Sequence, residues 1–550
     1  MRCALIVILV LGNFALASPP SPEEILQQKR PESWPEWVDV KMDASILTDE
    51  TLKQEFKECF SQAPSLMLEL SEEDLFGENG IYPKEADSKM ERTEALVKAT
   101  YWHPKKEGFS INCGIRLQGS GSLSQSSKRN FRLRFAKKFG QKSLKYSLFG
   151  SGEVEEFENL LVRNPTHDSW TGHWSVWRKD ARYVNDRWAL ETSRELGHLS
   201  PRQEWIHLYL NGIYWGLYAL SERVDEHFVA LHRHEKAKEF DVFNGADLRD
   251  GKLLSRGQAE QFLRDEFEDT PEAFEKLHTY LDVPAFIDHL LCQVYQGKRD
   301  WPMRNYFLIG NRKGEAQLCF GAWDSEIGFY EKAGFRGLEK SALYYAPLSS
   351  PQFLGDAHGP GFWYRHLRES KEFRLMVADR FHELTSEVGA LSSKKAGTRY
   401  QTLLDEVSPH LIAEALRWGD SQRAKSYLPY GEEWDQLAGP ESWLFQRFFA
   451  LRPAALKQHL REVGIWPAYE PPTIESRTGQ DGLEKFYLKN NNTRGIIVYT
   501  TDGSDPREKW TGLPLGQAFR EALILPSGTT IRARILSYRE WSPLFSYTTP

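Results

Sequence analysis

Cysteine is scarce in this sequence, which has five cysteines in 550 residues. Cys3 belongs to the apolar N-terminal segment, and the other four are Cys59, Cys113, Cys292 and Cys319. Their spacing is irregular and contains no C-x-x-C pair, so the sequence does not support a zinc site built from cysteines. If the chain is exported, the oxidising environment would allow one disulfide bond among these four cysteines.

Several features that would define other classes of function are also missing. The chain has 70 Lys and Arg against 77 Asp and Glu, and this lack of basic charge argues against a nucleic-acid partner. It contains neither the G-x-S-x-G motif of an α/β-hydrolase nor a Walker A motif. The segment HFVALHRH, with His227, His232 and His234, lacks the H-E-x-x-H spacing of zinc proteases.

The first 18 residues have the pattern of a signal peptide. Arg2 precedes an apolar run from Ala4 to Leu11, and a small-x-small cleavage signal follows at residues 15–17. The run is too short to span a bilayer, and no later segment approaches about 18 consecutive apolar residues. We therefore predict a cleaved signal peptide at residues 1–18, no membrane anchor, and a secreted, periplasmic or cell-surface location.

Hydrophobic patterning divides the rest of the chain. Residues 19–45 have the composition of a Pro-rich linker, strand-like patterns occupy about 44–151, and Asn211-Gly212 marks a hairpin. The run VPAFIDHLLCQVYQG is helical, and helical patterns recur up to Val463. This order predicts an α+β domain over residues 46–466. After the Pro-rich stretch IWPAYEPPTIES, period-2 runs predict a small all-β sandwich at residues 467–550.

The segment GKRDWPMRNYFLIG, followed by CFGAWDSEIGF, is the sharpest candidate for a catalytic site. Asp300 and Asn305 have the D-x-x-x-x-N spacing of a kinase catalytic loop, and two short strands would bring Asp324 beside them. Phosphoryl transfer needs a carboxylate for the attacking hydroxyl, together with an Asn and a second Asp for magnesium. The alternative is a polar loop whose Asp and Asn cap turns, with Asp324 in a surface salt bridge.

A second candidate is GIRLQGSGSLSQSSKRNFRLRF. Gly119, Ser120 and Gly121 would form a loop whose backbone N–H groups hold phosphates, and Lys128 would neutralise them. Glu222 is a candidate to pair with Lys128. A simple Gly/Ser turn beside a solvated sheet face explains the same residues.

Carboxylates two apart, such as Asp324 and Glu326, also leave a glycosidase pair open. Aromatic residues make up 13% of the chain, which suits either a packed core or a surface that stacks on sugars.

Several segments together resemble the CotH kinase-like family of atypical kinases. They are EEDLFGENGIY, CGIRLQGSGS with SKRNFRLRF, FENLLVRN, WIHLYLNGIYWGLYALSERVDEHF, GKRDWPMRNYFL, FGAWDSEIGF and ALRWGDSQR. They occur in the family's order over about residues 60–425.

The resemblance implies a reduced protein-kinase-like fold, ATP and Mg²⁺ as cofactors, and Ser or Thr hydroxyls of a protein as acceptors. It implies Asp300 as the catalytic Asp, Asn305 and Asp324 as magnesium ligands, and Lys128, oriented by Glu222, at the phosphates. The family's Pro-Lys-Lys reads Ser127-Lys128-Arg129 here, so the choice between Lys128 and Arg129 as the phosphate cation stays open.

The tail IIVYTTDGSDPR with IRARILSYREWSP resembles the C-terminal domain of chitobiases and β-hexosaminidases, which implies an accessory module and a possible carbohydrate contact. Because ATP is scarce outside the cytoplasm, the alternative to an exported Ser/Thr kinase is a catalytically silent surface scaffold or carbohydrate-binding protein.

Overall fold

The computed structural model describes residues 18–550 apart from 88, 151, 246, 251–253, 313–316, 332–341 and 481–482. The predicted signal peptide lies outside the described residues up to residue 17. The chain forms two compact units: unit 1 comprises residues up to Asn164, Gln203–Glu222 and Ser408–Pro429, and unit 2 comprises Pro165–Arg202, Arg223–Val407 and Tyr430–Pro550. Among the described residues, no helix is long and apolar enough to cross a membrane.

Unit 1 is built around a closed barrel of seven strands. In chain order these are β1 (Ser65–Glu69), β2 (Ala95–Trp102), β3 (Phe109–Gln118), β4 (Asn130–Arg134), β5 (Asn159–Arg163), β6 (Gln203–Leu210) and β7 (Ile213–Glu222). Their order around the barrel is β1-β2-β3-β4-β5-β7-β6, and β6 closes it by pairing in parallel with β1. The other neighbours are antiparallel.

The barrel confirms the strand patterns at β3 and β4. In β4, Phe131 and Leu133 are buried while the polar residues between them are partly exposed, as alternation requires. The hairpin is also confirmed, because Asn211 and Gly212 between β6 and β7 both have positive φ, 46° and 82°. A short strand pair, Leu144–Lys145 with Glu156–Phe157, lies outside the barrel.

Part of the strand-like prediction for residues 44–151 is wrong, because Glu50–Gln62 is a helix. Asp49 caps it by accepting the Leu52 N–H at 3.0 Å, and its buried residues recur at helical spacing. The predicted linker at residues 19–45 contributes to the barrel core through Trp34, Val38 and Val40. The other short helical segments of unit 1 are Pro22–Gln27, Ala44–Ile46, Glu72–Phe76, Gly121–Gln125 and Lys137–Phe139.

Unit 2 contains a four-stranded antiparallel sheet surrounded by helices. Its strands are β8 (Phe240–Asn244), β9 (Asp247–Asp250), β10 (Tyr306–Asn311) and β11 (Cys319–Ala322), in the order β9-β8-β10-β11. Its α-helices are Ser175–Arg178, Asn185–Glu195, Glu226–Arg233, Leu254–Asp265, Pro271–Tyr280, Val283–Gln296, Pro351–Leu354, Pro360–Leu367, Lys371–Thr385, Ser393–Trp418, Glu432–Ala438 and Ala450–Glu462. Its remaining helical turns are Thr166–Asp168, Ala237–Glu239, Pro347–Ser349 and Leu444–Phe449. The last part of Ser393–Trp418, from Ser408, belongs to unit 1.

The C-terminal part of unit 2 consists of two small sheets. The first pairs β12 (Thr473–Thr478) with β13 (Glu484–Lys489). The second contains β14 (Ile496–Thr500), β15 (Gln517–Ala518), β16 (Thr530–Ser537), β17 (Glu540–Trp541) and β18 (Phe545–Thr548). One hydrophobic cluster includes residues of both sheets.

Arg534 of β16 anchors the second sheet. Its guanidinium, on a side chain 2% exposed, binds Asp379 of the helix Lys371–Thr385 and Asp505, with N–O distances of 2.6–2.8 Å.

The structure thus confirms a mixed α and β protein whose first half is rich in strands and whose second half is rich in helices. The kinase-like fold and the C-terminal sandwich of the chitobiase type stay predictions. The four cysteines Cys59, Cys113, Cys292 and Cys319 are free thiols.

Candidate active site

The loop with Asp300 and Asn305 lies between the helix Val283–Gln296 and β10. Pro284 stands in the first turn of this helix, and Gly297, with a φ of 68°, ends it. Strand β10 then pairs with β11, with Tyr306 opposite Ala322. Because the strands are antiparallel, the start of β10 lies beside the end of β11. Asn305 immediately precedes β10, and Asp324 lies two residues after the end of β11. The structure therefore brings the predicted trio to one place in unit 2.

Only one of the two carboxylate oxygens of Asp300 has a hydrogen-bond partner among the described residues. Asn305 Nδ2 donates a hydrogen bond to Asp300 Oδ2. Asp300 Oδ1 is buried and has no hydrogen-bond partner among the described residues. Burial raises the pKa of Asp300, Lys298 opposes this rise, and the charge of Asp324 adds to it. A buried oxygen without a donor is costly unless a ligand supplies the donor.

Lys298 lies two residues before Asp300 and is 0% exposed. It is not among the site residues predicted from the sequence. Its Nζ donates to the Asn305 carbonyl at 2.7 Å, the Trp323 carbonyl at 2.9 Å and Ser325 Oγ at 2.9 Å. Burial lowers the pKa of Lys298, while the nearby carboxylates of Asp300, Asp186, Asp324 and Glu326 raise it. The ammonium is therefore the buried counter-charge of an acidic cluster.

Asn305 and Asp324 both have left-handed backbones, with φ of 63° and 53°. Apart from glycine, Asn and Asp tolerate this conformation best, and it persists where surrounding contacts impose it. Around Asp324, the Ser325 N–H donates to Asp186 Oδ1 at 2.7 Å. The Ser325 carbonyl accepts from Gln296 Nε2 at 2.7 Å. Asp186 and Gln296 therefore fix the peptide units on both sides of Ser325, and Lys298 fixes the peptide before Asp324 through the Trp323 carbonyl.

Glu326, two residues after Asp324, faces the turn Thr166–Asp168. Its Oε2 accepts the His167 N–H at 2.8 Å and lies 3.5 Å from His167 Nδ1. Burial by itself would lower the pKa of His167, but the hydrogen bond to Glu326 and the charges of Glu326, Asp324 and Asp300 raise it overall. The side chain of Glu326 is 5% exposed, which disfavours its use as one of two carboxylates facing a sugar.

The oxygen donors at this site fit a magnesium ion shared with phosphates. Mg²⁺ in phosphoryl-transfer sites binds one or two carboxylates together with substrate phosphates and water. Asp324 offers a carboxylate, and Asn305 offers an amide oxygen once its Nδ2 has turned to Asp300. The described residues contain no group of three or more His, Cys, Asp or Glu side chains placed to hold a metal ion.

Lys128 lies in unit 1, in a buried ion pair. Its Nζ is 2.6 Å from Glu414 Oε1, with both side chains 0% exposed, and also donates to the Leu217 carbonyl at 2.6 Å. Glu414 Oε2 accepts the Leu217 N–H at 2.9 Å. Burial lowers the pKa of Lys128 to about 8, against the opposing charge of Glu414.

The partner of Lys128 differs from the predicted Glu222. Glu222 is five residues beyond Leu217 on β7, which at about 3.3 Å per residue corresponds to roughly 16 Å along the strand. Glu414 reaches Lys128 because Gly216 lets the helix Ser393–Trp418 approach β7 closely. A Cβ on Gly216 would lie 2.8 Å from Glu414 Oε2 and 2.7 Å from Trp418 Nε1.

The predicted phosphate loop is a turn between β3 and the helix Gly121–Gln125. Gly119 has a φ of 116°, and its carbonyl accepts from Arg92 Nη2 at 2.6 Å. Ser120 and Gly121 follow at the start of the helix. Arg129, 6% exposed, has Nε and Nη1 buried without hydrogen-bond partners among the described residues. Phosphate contacts of this loop, of Lys128 and of Arg129 stay predictions.

Sequence reasoning missed Lys298, Asp186 and Glu414. Lys298 had a signal, because it stands in the same short segment as Asp300. Asp186 and Glu414 had none, since their partners are 139 and 286 residues away in sequence.

A family model described as CotH kinase protein matches residues 115–438, which is 324 of the 550 residues and includes Lys128, Asp300, Asn305, Asp324 and Glu414. A search of curated proteins finds no match.

Proposed function

Since this chain belongs to the CotH kinase family, we propose that it is an exported atypical protein kinase. It transfers the γ-phosphoryl group of ATP to a Ser or Thr hydroxyl of a protein. The observation that carries this proposal is the carboxylate of Asp300, with Oδ2 bound by Asn305 and Oδ1 buried without a donor among the described residues. A substrate hydroxyl supplies the missing donor.

In this proposal each residue has a defined role. The hydroxyl oxygen attacks the γ-phosphorus, the bond from that phosphorus to the β-phosphate oxygen breaks, and ADP leaves. Asp300 orients the hydroxyl and accepts its proton, a task that its raised pKa favours. Asn305 and Asp324 hold Mg²⁺, which neutralises charge on the phosphates. Lys128, as the family resemblance implies, is the cation for the phosphates.

A catalytically silent scaffold is the second candidate. The observation that favours it is the complete burial of Lys128, whose ammonium is already bound by Glu414 and the Leu217 carbonyl. A lysine that contacts phosphates needs an open side.

The test uses the purified full chain with Mg²⁺ and γ-labelled ATP, and measures autophosphorylation and labelling of a Ser-rich acceptor. Asp300→Asn keeps the shape and the Asn305 contact but removes the base, so labelling should fall by about 10²- to 10⁴-fold. Asp324→Asn should abolish labelling and weaken Mg²⁺-dependent nucleotide binding. The matched control is Asp265→Asn at an exposed position of the same unit, which should match the wild type.

Equal labelling by Asp300→Asn and the wild type would refute the role of Asp300. Binding of Mg²⁺-ATP without transfer to any acceptor would leave a nucleotide-binding protein, and absence of binding would favour the scaffold. In that last case, glycan binding by the full chain is the next measurement.

A further inference from the structure

We propose that Lys298 is a positioning residue, whose ammonium joins the loop of Asp300 and Asn305 to the strand end that carries Asp324. This inference rests on the proposed function, since it concerns the same site. It assigns a task to a residue that is neither the base nor a metal ligand.

The geometry of the ammonium supports this role. Lys298 Nζ has three acceptors, and they belong to two separate chain segments: Asn305 on one side, and Trp323 and Ser325 on the other. An ammonium has three N–H donors, so its donor capacity is fully used. Lys298 therefore has none left for a phosphate, which separates its role from that of a substrate-binding cation.

The backbone strain of the site gives the reason for such a tie. Asn305 and Asp324 have positive φ, and in both cases Lys298 binds a carbonyl next to the strained position: that of Asn305 itself and that of Trp323. Asp186 and Gln296 hold the other side of Asp324 through the N–H and carbonyl of Ser325. Lys298 therefore fixes the peptide before Asp324, and Asp186 fixes the peptide after it.

Charge makes a neutral replacement costly for the site. Asp300, Asp324, Asp186 and Glu326 all act on Lys298 electrostatically. Removing the ammonium leaves these carboxylates to repel one another, which favours separation of the loop from the strand end. A rearrangement of about 1 Å at a reacting group can reduce the rate by roughly 100-fold.

The experiment compares Lys298→Met with Lys394→Met, an exposed lysine of the same unit. Hydrogen exchange of peptides over residues 320–329 is measured together with kinase kinetics. In Lys298→Met, amides around Ser325 should exchange about 10-fold faster. The variant lacks the charged hydrogen bonds of Lys298, so less free energy is needed to open this segment locally. The kcat should fall about 10- to 100-fold. The Mg²⁺ concentration for half-maximal rate should rise, while KM for the acceptor protein changes little. Lys394→Met should change none of these values.

Two further variants cover the case in which Lys298→Met fails to fold. Ser325→Ala removes one contact of the ammonium and should reproduce the exchange and kcat effects at about a third of their size or less. Lys298→Arg should not restore the wild-type rate, because a planar guanidinium does not fit a fully enclosed ammonium site.

The outcomes separate this inference from the proposed function. Unchanged exchange at residues 320–329 in both Lys298→Met and Ser325→Ala would overturn the positioning role, whatever the activity. Faster exchange in a chain whose wild type transfers no phosphate would support the positioning role and refute the kinase. A loss confined to KM for the acceptor would also overturn it, because it would indicate direct substrate contact.

Discussion

The buried pair of Lys128 and Glu414 provides a quantitative test of how the barrel unit is stabilised. The perturbations are Lys128→Met, Glu414→Gln and the double variant. Met has nearly the length of Lys without its charge, and Gln keeps an oxygen that can accept the Leu217 N–H. Each single variant leaves one charge without its partner, and the double variant leaves none.

The magnitudes follow from burial. Both side chains are 0% exposed and 2.6 Å apart, so water cannot compensate the group that remains. Removing one member of such a pair destabilises a protein by about 3–5 kcal/mol. The double variant leaves the Leu217 carbonyl without its Lys128 donor, while the glutamine at position 414 still accepts the Leu217 N–H, so it should lose about 1–2 kcal/mol. The sum of the single losses should therefore exceed the double loss by at least about 3 kcal/mol.

The measurement is native-state hydrogen exchange of slowly exchanging amides in β6 and β7, which reports the free energy of opening of unit 1. Lys128 has a pKa lowered to about 8 even with its partner, and losing Glu414 lowers it further. Its unfolded pKa is about 10.4, and between the folded and unfolded pKa values folded Lys128 is neutral. The cost of removing its proton on folding therefore shrinks as the pH rises towards 10.4. The loss in Glu414→Gln should therefore be smaller at pH 9 than at pH 7.

Additive single losses, or a Glu414→Gln loss below about 1 kcal/mol, would refute this reasoning, because surface pairs behave in that way. A larger Glu414→Gln loss at pH 9 than at pH 7 would contradict the assigned sign of the Lys128 pKa shift.

Two further predictions concern the same unit. Gly216→Ala should destabilise the barrel by several kcal/mol, measured by thermal unfolding, because its φ is 122° and its Cβ would lie 2.7 Å from Trp418 Nε1. The control Gly212→Ala should lose only about 1 kcal/mol, since that glycine has a φ of 82° but nothing within 4 Å; equal losses would show that the close approach is unimportant. His207 and His410 are buried with ring nitrogens 3.3 Å apart, and burial lowers the pKa of both, that of His410 to about 4. As the pH falls from about 6.5 towards 4, these imidazoles take up protons in the unfolded chain but stay neutral in the folded one, so the wild type should lose up to about 1.4 kcal/mol per pH unit more than His410→Gln. Parallel melting curves across this range would contradict the assignment.

The sequence predicted the parts of the candidate site that depend on neighbours along the chain. The helix that precedes Asp300 was recognisable from Pro284 and Gly297, and β10 and β11 from their apolar runs. Once both strands were placed, their antiparallel pairing put Asn305 and Asp324 together. These features depend on periodicity and on backbone restrictions that single residues impose.

Other parts depend on contacts that no local pattern encodes. The partner of Lys128 was predicted on β7, but the pair depends on where the helix Ser393–Trp418 packs, and Gly216 decides that approach. The barrel closure joins β1 to β6 across more than 130 residues, with Leu66 opposite Leu208. The strand prediction over the helix Glu50–Gln62 is wrong for a different reason. Its apolar spacing and its cap at Asp49 indicate a helix, but the prediction extends the strand-like patterns of the neighbouring segments across it.

The attachment of the C-terminal sheets through Arg534 affects how shortened forms of this protein behave. The guanidinium neutralises Asp379, a partly buried carboxylate whose pKa is raised by desolvation, and Asp379 belongs to the helix Lys371–Thr385. A second arginine of the same segment, Arg507, binds Glu372 at the start of that helix at 2.7 Å. A chain that ends at residue 466 would lose both of these cations, and Asp379 and Glu372 would lose these ion pairs. Residues 467–550 therefore provide positive charges that neutralise two acidic residues of the helix Lys371–Thr385. Their removal changes the charge balance around this helix as well as the length of the chain.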